Sequence, residues 1–211
     1  ADFKKYSLCP NRSAYTIGIS VLSFIIGNFF AILLAFMRMS QKPWLKYPAR
    51  IYISFMRGVP MLVVLFILYF GLPYVGIQIP ALLYAIIGFS TVSAAYMAEI
   101  FRSSISAVDK GQWKAAQSLG LPQKPIIHHI ILPQALRIAV APTCNVIIDM
   151  VKSSSLAAMI TVPDIFQNAK IIGGREYDYM SMYILITFIY WVLSFILELL
   201  QGQVEKRLTV Y

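Results

Sequence analysis

The sequence predicts an all-α polytopic membrane protein, with five transmembrane helices and a cytoplasmic loop between spans three and four that carries a short helix. Three observations predict it. The chain of 211 residues is 59% hydrophobic and 13% charged, with a mean hydropathy of +0.70; soluble domains are nearer half apolar and a quarter charged. Its apolar residues fall in long runs, and about 20 such residues cross a bilayer. Its basic residues gather in alternate connections between those runs, the pattern by which positive charge fixes orientation.

Taken in order, the chain carries no charge between Arg12 and Arg38, which gives a first span over 14–37. The segment 41–57 is amphipathic and basic and suits the membrane surface. Gly58 to Ala98 is again uncharged but too long for one crossing, and Gly71, Pro73, Gly76 and Pro80 punctuate its middle. It divides into a second span over 59–70, with an apolar lead-in from 51, and a third over 81–100. A polar loop covers 102–137. The fourth span, 138–162, contains Asp149 and Lys152. A polar stretch follows, in which Gly173 and Gly174 are expected to break any long helix. The fifth span is 179–197, ahead of the basic pair Lys206–Arg207. The whole of 1–211 is thus one transmembrane domain.

Arg38, Lys42, Lys46, Arg50, Arg57, Arg102, Lys110, Lys114, Lys124, Arg137, Lys206 and Arg207 lie on one side, twelve in number, against five (Lys4, Lys5, Arg12, Lys170 and Arg175) on the other. The larger group belongs in the cytoplasm, so the N-terminus lies outside and the C-terminus inside. The net charge of +9 and pI of 9.6 follow from the same bias, so nucleic acid is not an expected partner, and membrane lipid is. Alternating ten-residue strands of a membrane barrel are absent. Gly27, Ala31 and Ala35, at four-residue spacing, suit close helix packing. Cys9 and Cys144 have no metal or redox spacing, adjacent His128 and His129 diverge on a helix, and no metal site is expected. No cleavable-signal pattern precedes Thr16. A P-loop, a nucleophile elbow and a dinucleotide fingerprint are all missing, so the chain is not expected to be an enzyme or to bind a cofactor.

In the loop, Asp109 is placed as an N-cap, with Gln112 three residues on completing a capping box. Gly120 followed by Pro122 is a stop signal. The helix between them, 110–119, is too short to hold in water alone. Trp113, Ala116 and Leu119 form an apolar strip on it, fitted either to a partner's groove or to the protein's own helices.

This stretch, Asp109-Lys-Gly-Gln-Trp-Lys-Ala-Ala-Gln-Ser-Leu-Gly120, with Ile131-Leu-Pro-Gln-Ala-Leu-Arg137, resembles the cytoplasmic signature of binding-protein-dependent ABC importer permeases. That signature is Glu-Ala-Ala, three residues, Gly, a spacer, then Ile-x-Leu-Pro. Further matches resemble the polar amino acid branch: Arg57-Gly-Val-Pro60, Ala98-Glu-Ile-Phe-Arg102, Gly111-Gln112, Pro142, Asn145 and Lys152-Ser-Ser-Ser-Leu156. The resemblance covers 13–207. Two departures stand out. Lys114 replaces the signature glutamate, and Val59 and Val64 replace polar residues of the usual Arg-Gly-Thr-Pro-x-x-Val-Gln.

The resemblance implies a multi-pass permease of a prokaryotic plasma (inner) membrane that imports a polar amino acid by alternating access. It implies three kinds of partner: an ATP-binding subunit dimer that holds ATP and Mg, a second permease subunit (identical or paralogous), and an extracytoplasmic solute-binding protein. Gly111, Gln112, Trp113, Lys114, Ala115, Ala116, Leu119 and Gly120 would then form the ATPase-coupling helix.

Independently of the family, Asp149 and Lys152 stand at i and i+3 within a span, where a charge is costly unless it is paired or faces a cavity. They fit either a self-satisfied ion pair between helices or a cavity lining. In the second case they would meet the ammonium and carboxylate of an amino acid, with Asn145, Ser154, Ser155, Ser93 and Tyr96 as further candidate contacts. A passive channel or ion-coupled carrier using the same pair is the alternative in a different class. Glu99 and Arg102 are expected to anchor the loop.

Overall fold

The structure, a computed structural model, describes residues 10–208; Lys4, Lys5 and Cys9 lie outside them. The described residues form helices joined by short turns. Helix α1 (Pro10–Met39) is followed by α2 (Pro43–Gly58), which starts on Pro43, where the missing N–H costs nothing. Helix α3 (Met61–Val75) tightens toward its end and stops at Gly76, whose φ of +82° favours glycine. Helix α4 is Ala81–Ala107 and α5 is Lys110–Ser118. Helix α6 (Gln123–Ile160) begins with a wide turn at Ile126–Ile131 and ends in a tight 3₁₀ segment, Ser154–Ile160. Helices α7 (Ile165–Glu176) and α8 (Tyr179–Leu208) complete the chain.

Four stretches are long and apolar enough to cross a membrane: Tyr15–Met39, Ala81–Ala107, Gln123–Ile160 and Tyr179–Arg207. A fifth crossing is available from α2 and α3 taken together, which are bent by 105° at the Val59–Pro60 break. The cause is local. Pro60 disfavours helical backbone at Val59, which is extended at φ −93° and ψ 133°. The surface segment and the second span that the sequence divides near Gly58 are the two arms of this angled pair. The wide turn in α6 precedes Pro133, whose ring would otherwise clash with the carbonyl one turn back.

Helices α1 and α4 share the most extensive contact. The small-residue stripe makes it possible. Ala31 and Ala35 are buried, and a Cβ on Gly27 would lie 2.8 Å from Ser93 Oγ and 3.1 Å from the Ser90 carbonyl oxygen. One core cluster joins Ile19, Leu65, Tyr84, Phe89, Met150 and Ile160 across α1, α3, α4 and α6. A second, of Val108, Ala116, Ile126, Ile131 and Ala135, seats α5 on the start of α6.

Two expectations need correction. Gly173 and Gly174 do not break a helix; both lie inside α7, which ends at Tyr177 in the left-handed conformation. Their role is steric. A Cβ on Gly173 would come within 3.0 Å of the Tyr179 ring and 3.3 Å of its Cα, so glycine lets α8 turn back tightly onto α7. The loop helix ends at Ser118 with Leu119 as its cap, and Asp109 accepts from Gly111 N at 2.5 Å instead of from the Gln112 N–H that a capping box uses.

Candidate functional site: a charged cavity between α2, α4 and α6

The break between α2 and α3 opens a cavity of about 600 Å³ against α4 and α6. Its charged lining is Arg57, Asp149 and Lys152, and its walls include Pro60, Phe89, Ser93, Tyr96 and Ser153. Each element delivers its residue for a local reason. Arg57 is in the last turn of α2, where a cation interacts favourably with the carbonyl end. Its guanidinium carbon stands 5.4 Å from the centroid of the Tyr96 ring, a cation–π arrangement. Asp149 and Lys152 follow one another along α6, with Lys152 Nζ 3.8 Å from Asp149 Oδ1.

Exposure separates the two readings of that pair. The side chains are 75% exposed for Asp149 and 50% for Lys152. Within this chain they are not closed between its own helices; they face an open cavity, and their contact is loose. Two cations against one carboxylate give this wall a net charge of +1.

Of the sequence candidates, Asp149, Lys152, Tyr96 and Ser93 come together here. Ser93 contributes its backbone and Cβ face only, because its Oγ is buried against Gly27. Asn145, Ser154 and Ser155 do not join the cavity. Asn145 Oδ1 accepts from Gln201 Nε2 at 3.2 Å, Ser155 Oγ donates to the Lys152 carbonyl at 2.8 Å, and Ser154 is fully buried and donates to the Val151 carbonyl at 2.7 Å. Ser154 and Ser155 leave the wall because the helix tightens at Ser154 and rotates them away, and Asn145 is held to α8 by Gln201. Sequence reasoning missed Arg57. Arg57 had been placed with the cytoplasmic charges; the Gly-Val-Pro break directly after it was the available signal.

At the other end of α4, Arg102 grips Glu99 with two hydrogen bonds, Nη2 to Oε1 at 2.5 Å and Nε to Oε2 at 3.0 Å. Helix α5 follows. Ala116 is 3% exposed and packs inward, with Trp113 partly covered beside it, whereas Leu119 is 79% exposed. The apolar strip thus splits: Trp113 and Ala116 seat the helix, and Lys110, Gly111, Gln112, Lys114, Ala115 and Leu119 remain on the outside, ahead of exposed Gly120 at φ +70°.

Fold and site together define a polytopic helical membrane protein with a charged cavity and an exposed loop helix. Comparison with known proteins gives the particular family. Residues 27–210 match the model of the binding-protein-dependent transport system inner membrane component. The chain is 55% identical over 197 residues to the probable amino-acid ABC transporter permease protein YckA of Bacillus subtilis, covering 93% of this chain and 87% of that protein. It is 39% identical over 214 residues to the L-cystine transport system permease protein TcyB of the same organism, covering 100% and 92%. The solved structure of an amino acid ABC transporter with histidines superposes with a TM-score of 0.93 at 34% identity, covering 97% of this chain and 95% of that one. The methionine ABC transporter MetNI, at 18% identity and a TM-score of 0.77, shares the fold. The chain belongs to the binding-protein-dependent transport system inner membrane components. It is the membrane permease subunit of an ABC importer and not its ATPase, and the family works with an ATPase subunit, a partner permease and a binding protein.

Proposed function

We propose that this permease imports a polar amino acid and that the Arg57–Asp149–Lys152 cavity is the station the substrate occupies on its way across. The observation that carries this is the exposed, oppositely charged Asp149–Lys152 pair facing the cavity from within a span. Such residues inside a membrane mark substrate paths. Lys152 meets the carboxylate of the substrate and Asp149 its ammonium. The amino acid class is supported by the two relatives that carry it in their names. Two permease subunits, identical or paralogous, face an extracytoplasmic binding protein on one side and a pair of ATP-binding subunits, which hold ATP and Mg, on the other. Helix α5 is the coupling element, and its exposed face, including Lys114 and Leu119, meets the ATPase. The N-terminus lies outside and the C-terminus in the cytoplasm.

The test is uptake in vesicles containing the complete transporter. Lys152→Ala and Asp149→Ala are each expected to lower amino acid uptake at least tenfold while basal ATP hydrolysis persists. Undiminished uptake in both variants removes the cavity from the path.

A further inference from the structure

At the end of the bundle away from α5, four elements bring oxygen atoms together in a buried place that the cavity does not use. Asp164, Thr16 and Ser154 are each 0% exposed. They come from the N-cap of α7, from α1 and from the 3₁₀ end of α6. The Tyr190 hydroxyl of α8 faces all three. One carboxylate oxygen of Asp164 is spoken for, because Oδ1 accepts from Gln167 N at 2.7 Å. Its Oδ2, Thr16 Oγ1 and Tyr190 Oη are buried with no hydrogen-bond partner within 3.5 Å, so the Tyr190 hydroxyl stands beside the other groups without closing a short bond to them. Ser154 Oγ has committed its hydrogen to the Val151 carbonyl, so it turns only lone pairs to its neighbours. Buried polar atoms are almost always satisfied, and a carboxylate oxygen and two hydroxyls left without a short bond in one place call for a common partner.

We propose that Asp164 Oδ2, Thr16 Oγ1, Ser154 Oγ and Tyr190 Oη form a binding site for a small monovalent cation of the sodium class. The donor set selects it. All four ligands are oxygen, with no nitrogen or sulfur, which suits a hard ion rather than zinc or copper. The single carboxylate balances one positive charge, and a divalent ion would leave an uncompensated charge in a dry place. Among the described residues no Lys, Arg or His acts on Asp164, whose neighbours supply backbone N–H groups and the Tyr190 hydroxyl. Among the described residues, Asp164 and Tyr190 are the only titratable groups facing one another here; α1 offers Thr16, the end of α6 Ser154, and α7 Gln167. A proton is the competing occupant. Burial favours the neutral carboxyl, so a proton competes with the cation for Oδ2. The site ties α1, α6, α7 and α8 at one point, next to Thr161, which is held at φ 64° where a β-branched residue is strained.

The experiment uses the purified permease–ATPase complex in lipid nanodiscs, with sodium chloride titrated against choline chloride at constant ionic strength. At pH 8 the thermal midpoint of the permease is expected to rise saturably with sodium, and at pH 5 the response is expected to vanish as the proton takes the site. Radioactive sodium is expected to bind once per permease chain. Asp164→Asn should abolish both effects. Tyr190→Phe and Thr16→Val keep the carboxylate and should raise the half-saturating sodium concentration about tenfold each, the effect of losing one contact worth about 1.4 kcal/mol; they carry the test where the Asp164 variant does not fold. Equal midpoints in sodium and choline at pH 8, or a stability set by pH alone, overturn the proposal.

Discussion

Asp164 shows how a single residue can serve two needs at once. As the N-cap of α7 it must present a carboxylate oxygen to the Gln167 N–H, and the same position buries the whole side chain. Desolvation disfavours the charged form more than the cap favours it, so the pKa rises from 3.8 to about 6. The sign follows from linkage. An acid whose folded pKa is raised binds protons more readily in the folded state, so stability is greatest below 3.8 and falls as the pH climbs through about 6. In sodium-free buffer the native protein is expected to lose up to about 3 kcal/mol across that window, on about 1.4 kcal/mol per pKa unit. Asn caps a helix as well as Asp does, so Asp164→Asn should flatten the profile. Thermal unfolding between pH 5 and pH 8 checks it; parallel profiles for the two proteins would contradict the assigned cause.

At the scale of the element, two helix contacts are set by the smallest side chains. Gly27 lets α1 lie directly on the Ser90 carbonyl of α4, a backbone atom that cannot step aside. Gly27→Val is expected to cost about 1–3 kcal/mol, the usual range for overpacking, seen as a lower thermal midpoint in detergent. Ala116 does the same for α5. Its side chain faces Ile126, Ile131 and Ala135, so Ala116→Trp should lift the helix from its seat without touching a span. Membrane insertion is expected to persist while substrate-stimulated ATP hydrolysis falls to the basal rate; unchanged stimulation removes the coupling role from α5. The mechanism differs from simple occlusion of a docking face, because Ala116 holds the helix in place while its neighbours Lys114 and Leu119 are outside.

For the whole molecule, the angled pair of α2 and α3 turns a bundle of crossings into one with a cavity on its flank. Without the 105° bend at Val59–Pro60, Arg57 would continue along a straight helix instead of standing over Tyr96 beside Asp149 and Lys152. The proposed orientation, drawn from the charge bias, has a direct test. Ser118→Cys, at the end of α5, is expected to react with a membrane-impermeant thiol reagent only from the cytoplasmic face. Tyr177→Cys, at a position 93% exposed between α7 and α8, is expected to react only from the opposite face. Labelling of both from one side would reverse or refute the assigned topology.

What the sequence determined by itself is what periodicity, composition and short-range chemistry control. Long charge-free runs specify crossing helices, because no other open structure satisfies its backbone in lipid. Asp109 and Gly120 mark α5 to within a residue, because capping is a contact between near neighbours. The spacing of Asp149 and Lys152 showed that one helix face carries both charges. Other outcomes depended on residues far apart in the chain. Whether that charged face was buried or open depended on a helix break some ninety residues earlier, which also brought in Arg57. Gly173 looked like a breaker and proved to be a packing site because Tyr179 folds back upon it. The buried oxygens of Thr16, Ser154, Asp164 and Tyr190 carry no local pattern at all. Only the tertiary structure could bring them together, since burial is a property of the neighbours a residue acquires on folding and not of the residue itself.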